Sequence, residues 1–195
     1  MPNWCQTTYA CVGEKKDVQA LYNAILACQR AEEPIVNNGF GNLWLGCVIE
    51  YFGKKWTDYG RCRGEIFDYQ IQDDVLFIYQ ETAWCEQEDF RKFIEDTFKS
   101  IKVYYMEEEP GCEVYCTNDR AGLFFKDRYY LDAYEDPQYF ETIEEAANFV
   151  SDLVGQEVSA DVNTIESALD EYVEVRQEND EDVYYCFHEF RVVND

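Results

Sequence analysis

The clearest structural signal in this chain of 195 residues is a hairpin pattern at Gly64–Tyr79, which has the sequence GEIFDYQIQDDVLFIY. Apolar residues such as Ile66 and Phe77 recur there with the two-residue period of strands that have one buried face. The polar pair Asp73-Asp74 interrupts the pattern and predicts a turn. We therefore expect two strands joined at this pair.

Amphipathic helices are predicted on both sides of the hairpin, over residues 15–29 and 86–98. Apolar residues recur in both ranges at the spacing of one helix face. These residues are Val18, Leu21, Tyr22, Ile25, Cys28, Phe90, Phe93 and Ile94.

Further short apolar segments, bounded by glycine, proline or polar residues, are predicted as strands. They are Cys5–Val12, Leu43–Phe52, Ile101–Met106, Cys112–Cys116 and Leu123–Leu131, the last two as a hairpin. The resulting order β-α-β-β-β-α-β-β-β is typical of a split βαβ unit, with two helices on one face of an antiparallel sheet. We therefore expect an α+β fold with a ferredoxin-like domain over residues 1–135.

Residues 136–195 are predicted to form an acidic, mainly helical extension that ends in a strand and packs on the first domain. Thr142 and Glu145 fit a capping box at the start of a helix that ends near Gly155. A second helix is expected over about 161–177 and a final strand over 183–193.

Short motifs in the first two thirds of the chain occur in a distinctive order. They are Met1-Pro-Asn-Trp-Cys5, a strand ending in Gly13, Gly53-Lys-Lys-Trp56, Thr82-Ala-Trp84 and Glu109-Pro-Gly111. Together they resemble the Api92-like (YubB-like) family over about residues 1–125. The resemblance implies a ferredoxin-like fold and an origin on phages, plasmids or integrative elements, and it implies no particular reaction.

The formal net charge is −25, and it is unevenly distributed. Residues 1–105 carry 16 acids and 11 bases, whereas residues 106–195 carry 25 acids and 5 bases. Such a field repels DNA, RNA and anionic membranes, so neither direct nucleic-acid binding nor membrane binding is expected. A basic protein partner is compatible with this charge.

The chain opens without a signal-like segment, and its apolar runs are far shorter than the roughly 20 residues of a membrane helix. We therefore expect a cytoplasmic location. The nine cysteines are odd in number and lack paired spacing. In a reducing compartment this pattern favours free thiols over disulfides.

Motifs for catalysis or metal binding are sparse. The single histidine, His188, could pair with Cys186 on the same strand face, which leaves a thiol-dependent enzyme as one alternative. Cys112 and Cys116 lack the repeated two-residue spacing of zinc sites, although a metal-dependent enzyme is a further alternative. Phosphate-binding, dinucleotide and hydrolase motifs are missing from the sequence. The expectation is a protein without enzyme activity, cofactor or metal.

The acidic tail leads to the main functional hypothesis. Regularly spaced carboxylates on a folded body can imitate a phosphate backbone and occupy a basic groove made for DNA or RNA. We expect a DNA mimic from a phage or mobile element that blocks a host defence nuclease or another nucleic-acid-handling protein, as anti-CRISPR proteins do. A merely solvated acidic surface and a structural or oligomeric role are the alternatives. The predicted partner-binding residues are Asp132, Glu135, Asp136, Asp161, Glu166, Asp170, Glu171, Glu174, Glu178, Asp180, Glu181 and Asp182.

Overall fold

The chain combines helices and strands in a mixed α/β fold, which a computed structural model describes for residues 3–60, 62–134, 136–179 and 181–194. The chain divides into two compact units, the first ending at Asp119 and the second spanning Arg120–Asn194. The boundary between the units thus lies before residue 135, where the predicted first domain ends. The strand Tyr129–Ala133 belongs to the second unit because it pairs with two strands of that unit. None of the described helices is long and apolar enough to cross a membrane.

The first unit is built on a sheet in which each neighbouring pair of strands is antiparallel, and the strands lie in the order Gly64–Gln72 (β2), Val75–Ala83 (β3), Trp4–Val12 (β1), Lys102–Glu109 (β4) and Val114–Thr117 (β5). Short 3-10 helices span Trp56–Tyr59 and Pro110–Cys112. The longer elements are β1 (Trp4–Val12), α1 (Lys15–Arg30), α2 (Leu45–Tyr51), β2 (Gly64–Gln72), β3 (Val75–Ala83), α3 (Glu88–Thr97), β4 (Lys102–Glu109) and β5 (Val114–Thr117).

The predicted hairpin is confirmed as β2 and β3, with its turn at Asp73-Asp74. Both turn residues have positive φ angles, 50° for Asp73 and 64° for Asp74. Aspartate tolerates this region, and such turns match the twist of the strands that they join. Lys15 Nζ lies 2.8 Å from Asp74 Oδ1, so the start of α1 contacts the tip of the hairpin.

One face of this sheet contacts both α1 and α3. Tyr9 and Tyr69 lie opposite Ile78 from its two neighbouring strands, so the three side chains share a face. The Tyr9 ring stacks 6.3 Å from Phe90 of α3. The Tyr69 ring lies 5.3 Å from Tyr22 of α1.

The segment Leu43–Phe52, predicted as a buried strand, is instead the helix α2. Five consecutive residues from Leu45 to Ile49 are buried, and Glu50 is the single charged residue of the helix, so the polar residues are too few to reveal a helical period. A continuous apolar run of this length has the same pattern in a buried strand and in a buried helix, which is why the prediction was wrong. Gly46 lies against the Trp44 ring, where a Cβ atom would overlap it.

The predicted hairpin between Cys112–Cys116 and Leu123–Leu131 is also wrong. β5 pairs with β4, with Cys116 opposite Glu107, and the turn at Pro110–Cys112 joins these two strands. The short proline-glycine turn favours pairing with the preceding strand, because closing a shorter loop costs less entropy.

The second unit has a sheet in which Tyr129–Ala133 (β6) lies between Gln138–Phe140 (β7) and Tyr185–Glu189 (β8) and is antiparallel to both. Leu131, Val150, Ile165 and Phe187 belong to its buried core. The capping box is confirmed by reciprocal hydrogen bonds of 3.2 Å between Thr142 and Glu145. The elements are β6 (Tyr129–Ala133), β7 (Gln138–Phe140), α4 (Ile143–Val154), α5 (Val162–Glu178), β8 (Tyr185–Glu189) and β9 (Arg191–Val192).

Candidate partner-binding surface

The outer side of α5 carries the largest group of predicted partner-binding carboxylates. The helix buries Ile165, Ala168 and Leu169 and leaves its acids exposed. Four of these acids recur at every fourth residue, which places them about 6 Å apart along the helix axis. We call this surface the α5 acidic face, and it consists of Glu166, Asp170, Glu171, Glu174 and Glu178.

Asp161, also predicted as a binding residue, has a structural task at the start of α5. Its Oδ1 atom accepts a hydrogen bond of 3.1 Å from the backbone N–H of Thr164. This is the N-cap interaction that satisfies one of the unpaired amides at a helix start. Asp161 therefore helps to form the helix that displays the acidic face.

A pocket of about 790 Å³ lies in the second unit, between residues at the end of β6 and residues of α4. Asp136, Glu181 and Asp182, all predicted as binding residues, are in its lining. Phe149 and Leu153 of α4 contribute apolar surface. We call this site the acidic pocket, and its mixture of apolar walls with a few charged groups is typical of ligand sites.

Two exposed tyrosines, Tyr134 and Tyr184, form an aromatic wall of the acidic pocket. Their ring centres are 5.3 Å apart, and the side chains are 69% and 39% exposed. The Tyr184 hydroxyl lies 3.5 Å from Asp132 Oδ2. Burial, followed by the nearby Cys186 and Asp132, raises the pKa of Tyr184 to about 12, so its hydroxyl remains protonated at neutral pH.

The carboxylates of the acidic pocket differ in their partners. Glu181 is paired, since its Oε2 atom lies 2.7 Å from Nη1 of Arg176. The Arg176 guanidinium also lies 4.9 Å from the centre of the Tyr172 ring. The side chains of Asp136 and Asp182 form no hydrogen bond or ion pair with another residue that the structure describes. Two carboxylates of the pocket are therefore available for an outside cation.

The predicted binding residues thus fall into two groups in the second unit. Asp132, Asp136, Glu181 and Asp182 lie in or beside the acidic pocket, and the remaining described ones, Asp161, Glu166, Asp170, Glu171, Glu174 and Glu178, lie on or at the start of α5. Glu135 and Asp180 lie outside the described residues.

Sequence reasoning missed Tyr184 and the apolar residues of α4 as parts of one site. Tyrosines next to acids in residues 129–136 and again in 181–185 are the signal that could have indicated it. The two stretches meet because β6 and β8 are paired strands, with Ala133 opposite Tyr185.

The proposed thiol pair, Cys186 and His188, lies on β8. Cys186 is opposite Asp132, and His188 is opposite Tyr130. The imidazole is stacked on the Tyr130 ring at 6.1 Å, a packing contact that orients it along the sheet face. Among the described residues, no group of three cysteine, histidine or acidic side chains is close enough together to hold a metal ion.

Another polar cluster is buried in the first unit beside α3. Glu86 Oε1 accepts hydrogen bonds from the Tyr9 hydroxyl at 2.5 Å and from Arg91 Nε at 2.9 Å. Glu107 Oε2 accepts one of 2.6 Å from the Glu86 backbone N–H. Burial raises the pKa of Glu86 to about 7, although Arg91 acts in the opposite direction. These contacts join β1, β4 and α3 in one internal network.

Comparison of the chain with protein-family models, curated proteins and solved structures gave no match.

Proposed function

We propose that this protein is a non-enzymatic acidic binding protein that occupies a basic groove of a nucleic-acid-handling protein and excludes DNA or RNA from it. The observation that carries the proposal is the α5 acidic face, where Glu166, Asp170, Glu174 and Glu178 are all exposed at regular spacing. Like charges at this spacing destabilise a helix, so the pattern is not one that helix stability favours.

The regular repeat of negative charge on α5 supports an imitation of the phosphate backbone, at a lower charge density. The carboxylates of the α5 acidic face repeat at about 6 Å, whereas phosphates of one DNA strand repeat at about 3.4 Å along the axis. One row of carboxylates thus has roughly half the linear charge density of one strand. Glu171 and the carboxylates of the acidic pocket add to this charge, since the whole second unit contains 19 acids and 5 bases.

The proposed biological context is an anti-defence protein of a phage or other mobile element, acting in the cytoplasm. It is supported by the motifs that resemble the Api92-like family. The strand order β2-β3-β1-β4, with α1 between β1 and β2 and α3 between β3 and β4, supports the ferredoxin-like arrangement that this family implies. A host defence nuclease, whose groove must be basic to hold its substrate, is the proposed class of partner.

The test is capture of partners from a host-cell lysate with a neutralised variant of the α5 acidic face. The variant carries Glu166→Gln, Asp170→Asn, Glu174→Gln and Glu178→Gln. A matched control loses the same charge at exposed positions elsewhere, through Glu32→Gln, Glu33→Gln, Glu113→Gln and Glu157→Gln.

The wild type and the control are expected to retain a basic nucleic-acid-binding protein that added DNA or RNA displaces and that high salt releases. The α5 variant is expected to lose it. Loss of capture to the same extent in both variants would show that net charge alone, rather than this face, is responsible. Capture that DNA and RNA do not displace would contradict the mimic.

A further inference from the structure

The acidic pocket has the chemistry of a receptor for one cationic group. Tyr134 and Tyr184 present aromatic surface, and a cation is attracted to the face of such a ring. Asp136 and Asp182 supply negative charge in the same lining. Phe149 and Leu153 offer apolar surface for the aliphatic part of a long side chain.

The carboxylates of the acidic pocket are better suited to an organic cation than to a metal ion. Although three carboxylates line the pocket, the described residues contain no group of three ligands close enough together to hold one ion. A planar guanidinium can satisfy separated acceptors, because its five N–H donors point in several fixed directions. A single ammonium lacks this reach.

The chain already contains one example of the same recognition beside the pocket. Arg176 lies over the Tyr172 ring at 4.9 Å while its Nη1 atom lies 2.7 Å from Glu181, a residue of the pocket lining. Tyr184 and Asp182 are likewise a tyrosine and a carboxylate in the pocket lining. Among the described residues, no arginine is paired with the Asp182 carboxylate.

We infer that the acidic pocket binds an arginine side chain of the basic partner. The partner's guanidinium stacks on the wall formed by Tyr134 and Tyr184 and donates hydrogen bonds to Asp136 and Asp182, while its aliphatic stem lies against the apolar surface of α4. This inference rests on the proposed function for the origin of the arginine. The pocket itself can be tested without any partner.

The experiment is a titration of the ¹⁵N-labelled full chain with three short peptides that differ in one residue. The sequence is acetyl-Gly-Gly-X-Gly-Gly-amide, where X is arginine, lysine or citrulline. Citrulline keeps the shape of arginine but has no charge. Backbone amide shifts of Tyr134, Asp182 and Tyr184 report on the pocket, and that of Glu166 reports on the α5 acidic face.

The arginine peptide is expected to give saturable shifts at the pocket, with an affinity about tenfold higher than that of the citrulline peptide. It is also expected to bind more tightly than the lysine peptide. Tyr134→Leu and the pair Asp136→Asn with Asp182→Asn should each weaken binding. Tyr139→Leu, which replaces a 45% exposed tyrosine outside the pocket lining, should not.

Equal binding of arginine and citrulline, or tighter binding of lysine, would overturn the inference. So would shifts that do not saturate, or shifts equally large at Glu166. Because the α5 substitutions leave the pocket intact, capture of a partner can fail while the arginine peptide still binds, and the two proposals can be rejected separately.

Discussion

Arg91 Nε lies 2.9 Å from Glu86 Oε1, and both side chains are only 6% exposed. The Arg91 guanidinium is thus paired with a carboxyl group whose ionised form is disfavoured by burial. The Tyr9 hydroxyl donates a hydrogen bond to the same oxygen of Glu86. Since removing ions from water is costly, such a pair contributes little net stability, but losing one partner is expensive. This relationship makes the first unit sensitive to pH.

Glu86 should make stability fall as the pH rises toward neutrality. Its pKa is raised from 4.5 to about 7 in the folded protein, so the folded state holds a proton that the unfolded state has released. Its contribution is fully present below pH 4.5 and is lost as the pH rises through about 7, a change of about 3 kcal/mol. Urea unfolding of wild type and Glu86→Gln from about pH 5 to about pH 8 measures the difference.

The matched control is Glu88→Gln, two residues away. Glu88 is exposed, and Lys92 lowers its pKa, so its titration lies outside this pH range. The control should keep the wild-type pH dependence, whereas Glu86→Gln should flatten it. An unchanged slope in Glu86→Gln would refute the role assigned to this carboxyl group.

Replacing Arg91 by methionine should destabilise the protein more at high pH than at low pH. The substitution leaves Glu86 buried without its cation, which typically costs about 3–5 kcal/mol while the carboxyl is ionised. Protonation of Glu86 at about pH 5 removes much of this cost. Combining Arg91→Met with Glu86→Gln should recover most of the stability at about pH 8, and failure to recover it would show that Arg91 acts mainly through other contacts.

The second unit should be weakened by loss of the Thr142 cap. Thr142→Ala removes the hydroxyl that accepts from the Glu145 backbone N–H, and the expected loss is about 1 kcal/mol in the free energy of unfolding. Urea unfolding followed by circular dichroism provides the measurement. Ser159→Ala, an exposed hydroxyl outside the helices, should change stability by less than about 0.5 kcal/mol. Equal losses in the two variants would contradict the cap.

Thiol alkylation should separate the cysteines by exposure and should test the thiol-enzyme alternative. Cys85 and Cys112 are exposed, and six others are buried. Burial raises the pKa of Cys5 to about 12, and a hydrogen bond with Glu109 raises that of Cys112, so labelling should be slow near neutrality and faster at alkaline pH. Mass spectrometry after iodoacetamide treatment is expected to find Cys85 and Cys112 first.

The variant Cys85→Ser with Cys112→Ser should lose this first phase of labelling. Cys186, half-buried on β8, should react later. Preferential labelling of Cys186 near neutral pH would indicate a thiolate activated by His188, and it would favour the enzyme over the binding protein.

Elements with a strong local signal could be predicted from the sequence. α1 and α3 have an apolar stripe, the β2-β3 hairpin has a polar turn, and α4 has both a capping box and a terminal Gly155 in the left-handed region. In each case neighbouring residues carry the information, so no distant contact was needed. The segment Leu45–Tyr51 lacked such a signal because Leu45 to Ile49 are all buried and the single acid, Glu50, does not define a polar face.

The candidate site divides in the same way. The α5 acidic face follows from the sequence, since helical spacing alone places Glu166, Asp170 and Glu174 on one side. The acidic pocket does not, because Tyr134 and Tyr184 are 50 positions apart and meet only through the pairing of β6 with β8. Strand pairing depends on register and on what each face buries, and neither is encoded in a short window.

The sequence by itself determined that the chain combines helices with strands, that its later half is strongly acidic and that α5 presents a row of carboxylates. These properties follow from composition and from periods of two to four residues. Only the tertiary structure decided which strands pair, which carboxylates of the acidic pocket have no cation beside them in the described part of the chain, and which tyrosines form the wall of that pocket. The physical reason is that burial and strand pairing depend on contacts between residues far apart in the chain. Bringing such residues together costs conformational entropy, which is offset only when the whole core forms.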